Sequence, residues 1–216
     1  MKNPPRIDIL MDSSITALGM LQADSLAAEP PLPMLASRRV AVLAGDGLDD
    51  VQLDAVRRAL EAGGAQVQVV SNRAGPLMGK SGGQVRVDHH WLDMPSVMFD
   101  AVYVPGGVGS VASFQDDPDA VHFMREAYRH GKALAATGQG VDLLRGLGIL
   151  LPSHVDDMSG SGIVTDLHHA AMERVAEQFV AAIVKDRHWR RTEDIDGATM
   201  PSTWSFNQGS VGFGPI

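Results

Sequence analysis

The 216-residue sequence contains no cysteine, which excludes disulfides, thiolate metal sites and a thiol nucleophile. Aromatic residues make up only 5% of a chain that is 44% hydrophobic, so its core has to be built from aliphatic side chains and alanine. No apolar run approaches the roughly 20 residues that a membrane-spanning helix needs. Asp8 and Asp12 interrupt the short apolar stretch near the start, so no leader pattern forms and a cytoplasmic protein without membrane contact is expected. Positive charge is also scarce, with 18 Lys and Arg against 26 Asp and Glu and a formal net charge of −8. Such a surface disfavours contacts with a phosphate backbone, and no nucleic-acid partner is expected. The one dense basic cluster, Arg187 to Arg191 around His188 and Trp189, follows a predicted helix, where cations complement the helix dipole.

Three regions are expected. Residues 1–37 are punctuated by Pro4, Pro5, Pro30, Pro31 and Pro33 and read as a tail or linker, with room for a short helix over 14–22. Residues 38–191 carry the periodic pattern of an α/β domain. Residues 192–216 hold Trp204, Phe206 and Phe213 in a polar stretch without a sustained period and read as a loosely ordered tail that could fold onto a partner subunit. Met1 fits a free-standing gene, whereas the linker-like first 37 residues fit a segment of a longer protein.

Within the domain, 39–44 is an apolar run too short for a helix and reads as a buried strand. Asp49 or Asp50 caps the next helix, whose stripe is Leu53, Val56 and Leu60 and which stops at Gly63 and Gly64. Residues 66–70 alternate as a second strand, parallel to the first and joined to it by a right-handed crossover. A small hairpin hanging off the main sheet is expected within 75–92. A third strand, 101–104, runs into Pro105, Gly106 and Gly107. Asp117 caps a helix with Pro118 in its first turn, and Val121, Met124 and Tyr128 face inward. Residues 133–136 form a fourth strand and 141–147 a helix. The stretch 148–165 reads as short strands and loops, including a strand at 163–165. The last helix spans about 169–187, with the stripe Met172, Val175, Ala176, Phe179 and Ile183. The alternation implies a doubly wound, mostly parallel sheet with helices on both faces.

The segments Val-Ala-Val-Leu-Ala-Gly-Asp-Gly-Leu-Asp-Asp-Val-Gln-Leu (40–53), Val-Tyr-Val-Pro-Gly-Gly (102–107) and Ala-Ala-Thr-Gly-Gln-Gly (135–140) carry a family resemblance. They resemble the ThiJ/PfpI branch of the class I glutamine amidotransferase-like fold, which is flavodoxin-like. More narrowly, with Pro95 to Asp100, Ala120 to Phe123, Glu126 to Tyr128 and Arg187 to Trp189, the chain is similar to the C-terminal domain of large-subunit haem catalases. Residues 15–20 resemble the linker that precedes such a domain. Active members of the branch carry a Cys-His-Gly elbow and a Glu that reaches over it. The resemblance places Gly138 at the cysteine, Gln139 at the histidine and Asp49 at the acid. Glycine offers no nucleophile and an amide takes no proton, so these are degenerate site positions with no catalytic residue among them. The resemblance implies subunit stabilisation or oligomerisation, with chaperone-like holding of unfolded chains, and a homo-oligomer or a catalase haem domain as partner. Stripes such as those of Leu53 and Phe179 could supply an interface. No cofactor is expected: Tyr103 and Tyr128 are the only phenols that could ligate a haem iron, and both fall at packing positions.

Other readings stay open at this point. Thr137, one residue from the elbow's apex, is the candidate to replace the missing nucleophile, and with Asp49 and Gln139 could rebuild a small-molecule hydrolase. Asp46, Asp49 and Asp50 cap a helix or hold a divalent ion. Gly106 and Gly107, with Gly109 and Ser110, form either a tight turn or an anion-binding nest. The pairs His89–His90 and His168–His169 lack the spacing that aims two imidazoles at one ion, and no metal site is expected.

Overall fold

The computed structural model describes residues 35–149, 161–167, 172–189 and 191. The tails (1–34 and 192–216), the helix expected over 14–22, most of the 148–162 connection and the pair His168–His169 lie outside the described residues.

Strand β1 (Arg39–Leu43) leads into helix α1 (Asp50–Ala62) and strand β2 (Gln66–Ser71). A two-stranded antiparallel hairpin follows, β3 (Leu77–Met78) with β4 (Gln84–Val85), as its turn residues indicate. Then come β5 (His89–His90), a 3-10 turn (Ser96–Met98) and β6 (Ala101–Val104). Helices α2 (Val108–Gln115) and α3 (Pro118–Arg129) precede β7 (Ala133–Thr137) and α4 (Gln139–Gly146). The remaining elements are β8 (Ile163–Asp166) and α5 (Met172–Val184). The sheet order is β5-β2-β1-β6-β7-β8, and every neighbouring pair is parallel.

The period of two along each strand divides the core. Val40, Val42, Ala101, Tyr103, Ala133 and Ala135 point to one face, where α1 and α5 supply Leu53, Val56, Leu60, Val175 and Phe179. Ala41, Leu43, Val102, Val104, Leu134 and Ala136 point to the other, against α2, α3 and α4. The chain winds from β1 to β2 in one direction and from β6 to β8 in the other, so right-handed crossovers place the two sets of helices on opposite faces. Burying a side chain such as Phe179 completely contributes about 1.5–3 kcal/mol, and Leu53 and Phe179 are both fully buried. Their stripes are consumed in closing the domain's own core and are not free for an interface between subunits.

Four other details depart from the sequence reading. Packing begins at Leu35, inside the stretch assigned to the tail: its side chain is fully buried and its N–H donates to Gly63 O at 2.8 Å. Residues 89–90 join the main sheet beside β2 rather than the hairpin. Helix α2 follows Gly107 directly, in a stretch too mixed to show a period. In α3 the inward stripe is Ala120, Phe123, Met124, Ala127 and Tyr128, with Val121 only half-buried at its margin.

The basic cluster does more than flank a helix end. After α5 the chain forms a strap across the N-terminal end of the sheet. His188 is buried, its N–H donates to Gly131 O at 2.7 Å and its Nε2 lies 3.0 Å from Ala182 O. Arg191 is buried too, donating to Lys132 O and stacking 5.1 Å over the Tyr128 ring. Lys132 is buried in turn and donates to Ser96 O. Burial, and next the nearby Arg187 guanidinium, lowers its ammonium to about 8 against weaker support from Asp100 and Glu126.

Two predictions follow from the strap. Gly162 has φ +65°, and a Cβ there would run into the His188 ring; Gly148 has φ +73° with open space around it. Both alanine variants incur backbone strain, but only Gly162→Ala also overpacks the slot. Chemical denaturation should find it less stable than Gly148→Ala by about 1–3 kcal/mol. The second concerns Lys132, whose folded-state value of about 8 lies below its ordinary 10.5. Between those values the unfolded chain holds the extra proton, so stability rises with pH in that window. The stability difference between wild type and Lys132→Met should shift towards the wild type by up to about 3 kcal/mol across it, and equal slopes would refute the assignment.

Candidate functional site

The sheet reverses its winding between β1 and β6, and in such sheets the crevice beyond the C-terminal ends of those strands is where ligands bind. Three loops meet there. The loop after β1 carries Asp46, Asp49 and Asp50, the turn after β6 carries Gly106 and Gly107, and the elbow after β7 carries Thr137, Gly138 and Gln139. The elbow retains the sharp strand-to-helix geometry of a nucleophile turn, with Gly138 at φ 51° and ψ −129°, and the Gly138 N–H donates to Asp166 O at 2.8 Å. At Gly107, φ is +120° and a Cβ would strike the backbone of Gly47 and Leu48. Only a residue without a side chain lets these two loops touch, and the Asp49 N–H donates to Gly106 O at 2.7 Å across the contact.

The residue that joins the three loops is one that sequence reasoning missed. Gln52, only 3% exposed, projects from the first turn of α1. Its Oε1 accepts the Gly106 N–H at 3.0 Å and the Thr137 hydroxyl at 2.6 Å. Thr137 has a single hydrogen, given to Gln52, so the Tyr103 hydroxyl donates to Thr137 Oγ1 over 2.9 Å. Burial pushes the Tyr103 phenol well above its ordinary value, which keeps it a neutral donor. The Gly107 N–H donates to Gln139 Oε1 at 2.9 Å. The sequence signal for Gln52 was its place four residues before Val56, on the buried side of an amphipathic helix.

The candidate residues therefore come together, but around amide oxygens. The Gly106 and Gly107 N–H groups, which could have formed an anion nest, are each committed to a glutamine. Thr137 is fully buried and has an amide and a phenol as hydrogen-bond partners, neither of which serves as a general base at neutral pH. The acidic loop points three ways. Asp46 pairs with Arg73 and accepts the Met78 N–H. Asp49 caps α1 by accepting the Gln52 N–H at 3.1 Å, with Lys80 Nζ 3.8 Å from its other oxygen. Asp50 clamps the hairpin turn through the Ser81 hydroxyl and the N–H groups of Ser81 and Gly83, and the Ser81 hydroxyl is the first cause holding its carboxyl below the ordinary value. An open cleft of about 380 Å³ lies beside Asp49, Asp50, Gln52, Lys80 and Met172.

Among the described residues no group of three His, Asp or Glu is placed to hold a metal ion. His90 Nε2 lies 2.9 Å from Asn72 O and its Nδ1 accepts the Leu92 N–H, so neither nitrogen is directed at an ion. Nor do the phenols fit a haem. Tyr103 is sealed behind Thr137, and the Tyr128 ring is covered by Arg191.

The model of the DJ-1/PfpI family matches residues 38–187. Among curated proteins, Catalase HPII from Mycobacterium avium is 45% identical over 165 residues, 74% of this chain and 23% of the catalase. Catalase-2 from Bacillus subtilis is 34% identical over 172 residues, 80% of this chain and 24% of that protein. The chain thus spans about a quarter of the length of these relatives. Among solved structures, oxidized Toxoplasma gondii DJ-1 superposes with a TM-score of 0.60 at 17% identity, covering 74% of this chain and 97% of that one. A ThiJ/PfpI domain protein from Brachyspira murdochii gives 0.59 at 20% identity, over 70% and 98%. At those identities the structures establish the fold alone. Among the described residues no helix is long and apolar enough to cross a membrane. With the elbow, the glycine turn and the sheet order all in agreement, the chain belongs to the DJ-1/PfpI family, in a form similar to the C-terminal region of large-subunit catalases.

Proposed function

We propose that this chain is a catalytically inactive DJ-1/PfpI-like domain that stabilises a cytoplasmic protein assembly, with a catalase haem domain or further copies of itself as partner. The observation that carries the reading is the occupied elbow. The apex is Gly138, and the two N–H groups that could polarise a substrate are committed to Gln52 and Gln139. A catalytic site leaves such donors free for the charge that develops in the transition state. Here they are spent on holding three loops together, which favours a rigid structural unit. The catalase relatives supply the partner class, and any haem chemistry would then belong to the partner.

Turnover assays decide the first half. Across a panel of esters, amides and glyoxals the wild type should show no activity above background, and Asp49→Asn should leave that background unchanged. Turnover that is lost in Asp49→Asn would establish a rebuilt hydrolase instead. The second half is read from the native protein, captured with an antibody to the domain. A mass well above that of this chain, whether from a longer haem-bearing polypeptide with its Soret band or from several copies, supports the assembly role. A lone chain of 216 residues without haem refutes it.

The network also makes a stability prediction. Gln52→Leu keeps the side chain's approximate volume but strands the Gly106 N–H in a buried site. It should lower the unfolding free energy by about 1–3 kcal/mol. Gln139→Ala, at a half-buried position, should cost less, about 0.5–1.5 kcal/mol. The reverse order, measured by denaturant titration, would remove Gln52 from the centre of the site.

A further inference from the structure

The other end of the sheet carries a group of cations that the local carboxylates leave unanswered. Lys132, Arg187 and Arg191 gather beneath β7, where Arg191 donates to Lys132 O and Lys132 donates to Ser96 O. Asp100 accepts from Arg38 at 3.3 Å and from the Arg39 N–H at 2.9 Å. Asp186 is taken by Arg38 at 2.9 Å. Glu126 is taken by Arg129 and His130, each at 3.2 Å. Among the described residues no carboxylate hydrogen-bonds any of the three cations.

Among the described residues, three guanidinium nitrogens of this cluster lack an acceptor: Nη1 of Arg187 and both Nε and Nη1 of Arg191, all buried. Arg191 itself is only 4% exposed. A guanidinium cannot escape the problem by losing its proton, and buried donors are almost always paired. An oxyanion is the acceptor whose charge and geometry match.

The surroundings decide what kind of molecule brings it. Val97 and Met98 sit on the 3-10 turn that Lys132 holds through Ser96, and they are 72% and 45% exposed. Trp189, on the strap between the two arginines, is 59% exposed. A free inorganic anion would leave these apolar side chains in water. A protein segment with a carboxylate beside apolar side chains would cover both, and aromatic and arginine anchors dominate the energetics of such contacts. Arg187 is half-buried where Arg191 is buried, so Arg187 is the more accessible of the two arginines.

We propose that this end of the sheet, built from Val97, Met98, Arg187, Trp189 and Arg191, docks an acidic, apolar segment of a partner chain through a carboxylate–guanidinium contact. The assignment rests on the reading of the chain as an assembly domain and names the surface and partner chemistry that reading needs. Its sign is notable in a chain of net charge −8: an acidic partner is repelled by most of the molecule and accepted here.

The test is a fluorescence-anisotropy titration of the whole chain with a labelled peptide alternating glutamate and leucine. Lysine–leucine and glutamate–serine peptides serve as controls. The glutamate–leucine peptide should bind and both controls should bind at least about tenfold more weakly. Trp189→Ser and Val97→Ser, both at exposed positions, should each weaken binding about tenfold, and Arg187→Gln by more. Val108→Ser, exposed at the opposite end of the sheet, should leave it unchanged. No binding, equal binding of the lysine–leucine peptide, displacement by acetate alone, or indifference to Arg187→Gln and Trp189→Ser would each overturn the proposal. Native mass measurements on the same variants separate the two readings. If wild type binds the peptide but is a lone chain in its source, the assembly role fails and the surface stands. If the native assembly is unmoved by Arg187→Gln and Trp189→Ser, the surface fails and the role stands.

Discussion

The carbonyl oxygen of Gln52 is the atom on which the arrangement of the sheet's C-terminal end depends. It accepts from the turn after β6 and from the last residue of β7, while its own helix is capped by Asp49 in the loop after β1. Each of those segments needs a partner for a buried polar group, and one amide oxygen with two lone pairs answers two of them at once. The position of Thr137 then fixes Tyr103, whose hydroxyl has a buried acceptor only if the threonine hydrogen points to Gln52. Because the network is neutral, it carries no desolvated charge and needs no counterion. That is the physical difference between this site and an acid–base site, where a charged or titrating group has to be kept ready.

The two ends of the sheet are therefore closed by opposite means. At the C-terminal end, amides, a hydroxyl and a phenol saturate one another. At the N-terminal end, the strap brings in Arg191 and buries it against the Lys132 carbonyl and the Tyr128 ring, with guanidinium nitrogens left over among the described residues. The contrast explains why the end that carries the family's catalytic geometry is the less suited to recruit anything. Its donors already have acceptors, whereas the strap end has donors in excess.

Much of the framework was legible because apolar periodicity reports burial directly. Residues 39–44, 101–104 and 133–136 read as short apolar runs and 66–70 alternates, and each is a parallel strand in a sheet whose two faces are covered by helices. Asp49 or Asp50, and Asp117, each followed by an amphipathic stripe, marked two helix starts, and the side chains of Asp49 and Asp117 are the ones that cap. What escaped had no period to read. Helix α2 is eight residues of mixed character, and its start at Gly107 is set by a contact with Gly47, distant in sequence. Strand β5 is two histidines that join the sheet only because β2 offers an open edge.

At the site, the sequence showed what had been removed more readily than what had replaced it. Gly138 and Gln139 are visible as departures because the elbow around them survives. Gln52 is a polar residue on a helix, and nothing local distinguishes a solvated glutamine from one whose oxygen joins residues 54 and 85 positions away. The basic run from Arg187 to Arg191 misled for the same reason. Read along the chain it is a charged helix end, and only the fold reveals that Gly131 and Gly162 open a slot for His188 and draw the arginines under the sheet. A side chain's role is legible when its neighbours in sequence are its neighbours in space. Here Gln52 at one end and Arg191 at the other both act on segments far from their own.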